Sequence, residues 1–129
     1  TAATVIGGGS ETILFVDDEL KILKIGAKLL RNLGYTVLRA KDGREALQTY
    51  LANKDKIDMV ILDMIMPEMG GSETYDGLKE INPNVKVLLS SGYSLDGQAS
   101  EILRKGCDAF IQKPFTVKEL SGRISEILA

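Results

Sequence analysis

Acidic residues close two apolar runs of this chain, and a lysine closes a third. Ile13-Leu14-Phe15-Val16 leads into Asp17-Asp18-Glu19, Met59-Val60-Ile61-Leu62 into Asp63, and Ala109-Phe110-Ile111-Gln112 into Lys113-Pro114. Short continuous apolar runs read as buried parallel strands. In an open α/β sheet, ligands bind beyond the carboxyl ends of the strands. One sheet edge would then gather three carboxylates and one ammonium. Carboxylates within about 5 Å of one another repel by about 3 kcal/mol per pair at an effective dielectric of about 20. A cation offsets that cost. Oxygen ligands without His or Cys select Mg²⁺, Mn²⁺ or Ca²⁺ over zinc, and Mg²⁺ suits one or two carboxylates combined with phosphate oxygens. The edge therefore suits a hard cation and a phosphoryl group.

Singly, these residues say less. Asp17 and Asp18 read equally well as caps on the next helix, opposing its dipole. Lys113 alone reads as a solvated lysine after a strand. Asp63 has few local partners, because Met64-Ile65-Met66-Pro67 follows it. The joint pattern carries the chemical reading.

The rest of the chain bounds the alternatives. Its 129 residues suit one domain with one core. Hydrophobic residues make up 44% and charged residues 26%, ordinary for a globular protein. A formal net charge of −2 gives no general attraction to nucleic acid or an acidic membrane. The apolar runs are too short to span a bilayer, and the start lacks the basic and apolar regions of a signal peptide. A cytoplasmic location is expected. The single cysteine, Cys107, forms no intrachain disulfide and reads as a small packing residue. With no histidine in the chain, Ser-His-Asp and Cys-His catalysis and histidine metal sites are excluded. Any phosphohistidine donor must lie on another chain, or on another part of a parent protein.

The elements that must position the edge follow from periodicity and caps. Residues 1–10, with Gly7-Gly8-Gly9, read as a flexible tail or linker ahead of a domain over 11–129. Five strands alternate with five helices. The helices are expected over about 19–33 with Gly34 as the stop, from Asp42 through Leu51, over 72–81, over 94–105 with Gly106 as the stop, and from Thr116 onward. Asp42-Gly43-Arg44-Glu45 and Thr116-Val117-Lys118-Glu119 have capping-box spacing. The second and fourth strands are expected over 36–40 and 85–90. Such alternation implies a parallel sheet covered on both faces by right-handed crossovers.

Four motifs in this order and spacing carry a resemblance: Val16-Asp17-Asp18-Glu19, Leu62-Asp63-Met64-Ile65-Met66-Pro67, Leu89-Ser90-Ser91-Gly92-Tyr93 and Lys113-Pro114-Phe115. Over residues 11–129 the chain resembles the receiver domain of two-component response regulators. The resemblance implies a flavodoxin-like, doubly wound sheet of order 2-1-3-4-5. It implies that Asp63 accepts a phosphoryl group, with Mg²⁺ as cofactor. Asp18 would be a direct metal ligand, Asp17 would act through water, and Asp63 and the Ile65 backbone carbonyl would complete the protein ligands. Ser91 would bond the phosphoryl group, with Ser90 the competing candidate. Lys113 would pair with the phosphate across a cis Lys113-Pro114 bond, and Phe110 would be the aromatic switch, its other reading being a core side chain. The implied partner is a histidine kinase or histidine phosphotransfer protein. A homodimer through the fourth helix, fifth strand and fifth helix is a further expectation. The segment Gly70-Gly71-Ser72-Glu73-Thr74 and the run from Val87 to Tyr93 look most like receivers fused to hybrid sensor kinases.

Two rivals share parts of the pattern. A phosphatase of the haloacid dehalogenase type needs Asp-x-Asp after its strand, whereas Met64-Ile65 follows Asp63 here. A protein-binding pseudo-receiver would not need the full acidic set, Ser91 and Lys113.

Overall fold

The computed structural model describes residues 9–66, 68–92 and 97–129. Among these, five strands and five helices alternate: β1 (Thr12–Val16), α1 (Leu20–Asn32), β2 (Thr36–Ala40), α2 (Gly43–Asn53), β3 (Met59–Asp63), α3 (Gly71–Ile81), β4 (Val87–Ser91), α4 (Gly97–Arg104), β5 (Ala109–Gln112) and α5 (Val117–Leu128). The strands form one parallel sheet in the order β2-β1-β3-β4-β5, as the resemblance implies. The winding reverses between β1 and β3, which is where doubly wound sheets open their ligand crevice.

Alternation along each strand divides the core. Leu14, Val16, Val60, Leu62, Val87 and Leu89 face α2, α3 and α4, where they meet Ala46, Tyr50, Tyr75, Leu78, Ala99 and Ile102. Ile13, Phe15, Met59, Ile61, Leu88 and Ile111 face α1 and α5, where they meet Leu23, Ala27, Leu30, Leu120 and Ile124. Every residue of β3 and β4 is buried. This is why these strands read as unbroken apolar runs rather than as alternating ones.

Caps fix the helix ends. Thr116 and Glu119 form the reciprocal capping box that begins α5. At α2 the Asp42 side chain accepts from the Glu45 N–H at 2.8 Å, but the Glu45 carboxylate reaches the Lys41 N–H at 3.0 Å, one residue before the cap. Gly34 ends α1 with φ at +102°. A side chain there would also strike the Gly9 carbonyl oxygen, 2.5 Å from the Cβ position. The Gly9 N–H donates to the Leu33 carbonyl oxygen, so the chain is tied to the fold two residues before the expected start at 11.

Some boundaries differ from expectation. β4 begins at Val87 rather than Val85, because Val85 is held in a turn, its N–H donating to the Asn82 carbonyl oxygen at 3.0 Å. Val87 is the first β4 residue in register with β3, opposite Val60. The strand also runs one residue further, to Ser91. The expected helix start at Ser94 lies outside the described residues, as do Pro67, Tyr93 and residues 1–8.

Candidate functional site

Register brings the acidic residues together. Val16 pairs with Leu62, so Asp17 and Asp63 each stand at the carboxyl end of adjacent strands. Asp17 is fully buried and Asp63 is 4% exposed. Both belong to the sheet face that packs on α1 and α5, by alternation from Phe15 and Ile61. One carboxylate oxygen from each of Asp17, Asp18 and Asp63 lies within 4.8 Å of the others. The spacing assumed from sequence is therefore met.

Lys113 balances part of this charge. Its Nζ donates to Asp17 Oδ2 at 2.7 Å and lies 3.3 Å from Asp63 Oδ1. The resemblance implies that Lys113 pairs with a phosphate on Asp63, whereas its shorter contact here is with Asp17. Adjacency in sequence gave no sign of that preference, because two strands, β3 and β4, lie between the strands that Asp17 and Lys113 follow. The other oxygen of Asp17, Oδ1, accepts the Glu19 N–H at 2.9 Å, closing the turn into α1. The capping reading and the charge-cluster reading of Asp17 are thus both correct. The Lys113 N–H donates to the Ser91 carbonyl oxygen at 2.7 Å, and the Lys113-Pro114 bond is cis, as the resemblance implies. Phe115 packs with the core cluster on the α1 and α5 face.

The electrostatics follow from this packing. Burial is the main cause that raises the Asp63 carboxyl, to about 7; the Asp17 charge adds to it, while Lys113 pulls the other way. For Lys113, burial opposes the charged form, but the bonds and charges of Asp17 and Asp63 outweigh it and the ammonium is held more firmly than usual. The site can therefore hold a proton on Asp63 or exchange it for a cation. The donor set is oxygen only, with two of the three carboxylates buried, and it fits a hard divalent ion.

The two serines divide the sheet. Ser90 is in register with Asp63 and follows Leu88 on the α1 and α5 face. Ser91 follows Leu89 on the face that carries Phe110, and Leu89 is the register partner of Phe110. Both serines are buried. Phe110 is partly buried against the cluster beneath α4, so the core reading of this residue and its place beside the α4 face are both correct. Ile65 is 49% exposed and lines the opening over Asp63 together with Asp18, Glu19, Gly92 and Lys113.

Gly71 shapes the loop that carries Ile65. Its N–H donates to the Met64 carbonyl oxygen at 2.8 Å. A Cβ there would come within 2.7 Å of Met64 Cα, directly after Asp63. Sequence reasoning took this glycine only as part of a sub-family pattern. It also missed an apolar groove of 540 Å³ beside Lys113, lined in part by Ile22, Ile25, Leu29, Pro114 and Phe115. Widely separated residues form it, so no local signal marks it.

The model for the response regulator receiver domain matches residues 13–125. The chain belongs to that family, the receiver module of two-component signalling, whose members work with histidine kinases or phosphotransfer proteins. It is 35% identical to the sensor kinase CckA of Brucella abortus, over 93% of this chain and 13% of that protein. A receiver domain structure from Clostridium thermocellum superimposes with a TM-score of 0.87 at 32% identity, covering 92% of this chain and 94% of the other. The response regulator TrrA of Thermotoga maritima, solved in complex with Mg²⁺ and beryllofluoride, gives a TM-score of 0.82 at 30% identity, covering 92% and 99%. Among the described residues no helix is long and apolar enough to cross a membrane.

Proposed function

We propose that this domain takes a phosphoryl group from a phosphohistidine donor onto Asp63 and thereby changes the surface formed by α4, β5 and α5. The observation that carries the reading is the buried Asp63 carboxylate, which shares a 4.8 Å cluster with Asp17 and Asp18 and an ion pair with Lys113. In the transfer, an Asp63 oxygen forms a bond to phosphorus as the phosphorus–nitrogen bond breaks, and the electron pair returns to the donor imidazole. Such transfer depends on positioning and charge neutralisation rather than on covalent machinery. Asp17, Asp18, Asp63 and the Ile65 carbonyl would hold Mg²⁺, which when bound neutralises charge on the carboxylates and the phosphoryl oxygens. Lys113 supplies a second positive charge. Ser91, one residue further along β4 than the register partner of Asp63, would bond the phosphoryl group. Phe110 is the relay to α4. On this reading the domain catalyses only its own phosphorylation and dephosphorylation.

The apolar groove between α1 and the loop after β5 suits a helix of the donor protein. Ile25, which lines the groove, is 60% exposed, apolar area that a docked helix would cover. Likeness to a sensor kinase supports a place inside a hybrid kinase, with residues 1–10 as linker; pairing of two copies through α4, β5 and α5 is part of the same proposal.

The test is incubation with acetyl phosphate, with and without Mg²⁺, followed by mass spectrometry. A single phosphate adduct that requires Mg²⁺ and disappears in Asp63→Asn is the expected result. Undiminished uptake in Asp63→Asn removes the acceptor assignment. No adduct in the wild type would favour a protein-binding module that never takes phosphate.

A further inference from the structure

Lys113 follows β5, yet its ammonium reaches Asp63 on β3 and Asp17 on β1. Its side chain must therefore pass over β4. The β4 residue on that face, in register with Asp63, is Ser90. Ser90 is 1% exposed, and among the described residues its hydroxyl has no hydrogen-bond partner. Its small size leaves room for the lysine arm. Packing alone explains the size but not the hydroxyl, since a buried hydroxyl without a partner is destabilising and alanine would fill the place as well. An ammonium has three N–H donors, and Asp17 and Asp63 engage two of them.

We propose that Ser90 is a positioning residue for Lys113, its hydroxyl accepting from the ammonium once a phosphoryl group sits on Asp63. The inference rests on Asp63 being the acceptor. The strand order supplies the direction of movement. In the resting state the ammonium is closest to Asp17, on the far side of Asp63 from β4. New negative charge centred on Asp63 draws it back toward β4, where Ser90 waits. Ser90 then steadies the lysine, while Ser91, on the other face, is left for the phosphoryl group and Phe110.

The probe is beryllofluoride with Mg²⁺, titrated into the whole chain and followed by amide NMR. Ser90→Ala should bind about five- to tenfold more weakly than wild type, the loss of one charge-assisted hydrogen bond. Ser90→Cys, which keeps the size but offers only a weak acceptor, should weaken binding as Ser90→Ala does. Without ligand, Ser90→Ala should melt no lower than wild type, because it discards an unpartnered hydroxyl. Equal affinity in wild type and Ser90→Ala overturns the assignment. So does wild-type affinity in Ser90→Cys, or a loss accompanied by a lower melting temperature, since either marks a packing role. If wild type fails to bind the probe, the acceptor reading of Asp63 falls and the role of Ser90 falls with it.

Discussion

Asp63 meets two opposing demands. On the proposed reading it must be ionised to attack phosphorus, yet burial and the Asp17 charge raise its pKa to about 7. In the unfolded chain an aspartate titrates near ~3.9. Between these values the native state binds the extra proton, so Asp63 stabilises the fold at low pH and that contribution is lost as pH rises through about 7. The metal-free protein should therefore melt several degrees lower at neutral pH than at mildly acid pH, and Asp63→Asn should flatten the trend. Because a cation binds the ionised carboxylates, stabilisation by Mg²⁺ should grow over the same range. Circular dichroism melts with and without Mg²⁺ follow both, in a chain without tryptophan. A pH trend that survives Asp63→Asn would point to another group. Asp18 offers a separate check. Asp18→Asn removes one repelling carboxylate from the cluster, so the metal-free melting temperature should rise, by about 1 kcal/mol of stability after solvent screening. The Mg²⁺ response should shrink. If neither changes, Asp18 is not part of the site.

The loop from β3 to α3 holds the Ile65 carbonyl, and Gly71 sets how closely α3 approaches it. Gly71→Ala should force Met64 away from α3, because the new Cβ would sit 2.7 Å from Met64 Cα and 2.9 Å from the Met64 carbonyl oxygen. Overpacking of this kind costs about 1–3 kcal/mol. A urea titration should show that loss. Weaker Mg²⁺ binding should accompany it, since the Ile65 carbonyl moves with the loop. Unchanged Mg²⁺ affinity in a destabilised variant would separate the loop from the metal site. The element before β5 has the opposite character. Cys107 is buried with its thiol raised to about 11, chiefly by burial, and its Sγ donates to the Val87 carbonyl oxygen at 3.4 Å. It is a packing residue, protonated and unreactive at neutral pH.

The molecule as a whole is a sheet with different work on its two faces. Asp17, Asp63, Ser90 and Lys113 share the α1 and α5 face, while Leu89, Ser91 and Phe110 lie toward α4. On the proposed reading, a phosphoryl event on one side reaches the α4, β5 and α5 surface through Ser91, which ends β4 one residue beyond the register partner of Asp63. In amide NMR with Mg²⁺ and beryllofluoride, wild type should shift from Gly97 to Lys105 and from Phe110 to Leu120. Ser91→Ala should shift mainly near Asp63. Matching distant shifts in both proteins would take the coupling role from Ser91.

Sequence alone determined the strand ends that carry the chemistry, because a buried parallel strand is an unbroken apolar run and its first polar residue marks the edge. It also determined the capped helix starts at Asp42 and Thr116, since capping is local. The receiver motifs named Asp63, Asp17, Asp18 and Lys113 as one cluster. Only the tertiary structure decided that Lys113 bonds Asp17 more closely than Asp63, that Asp17 also caps the turn into α1, and that Ser90 and Ser91 face opposite sides of the sheet beside different partners. Those outcomes depend on strand register and on which neighbour a side chain meets across the sheet. A one-residue slip exchanges the faces, and no local pattern in β4 reports its register against β3 and β5.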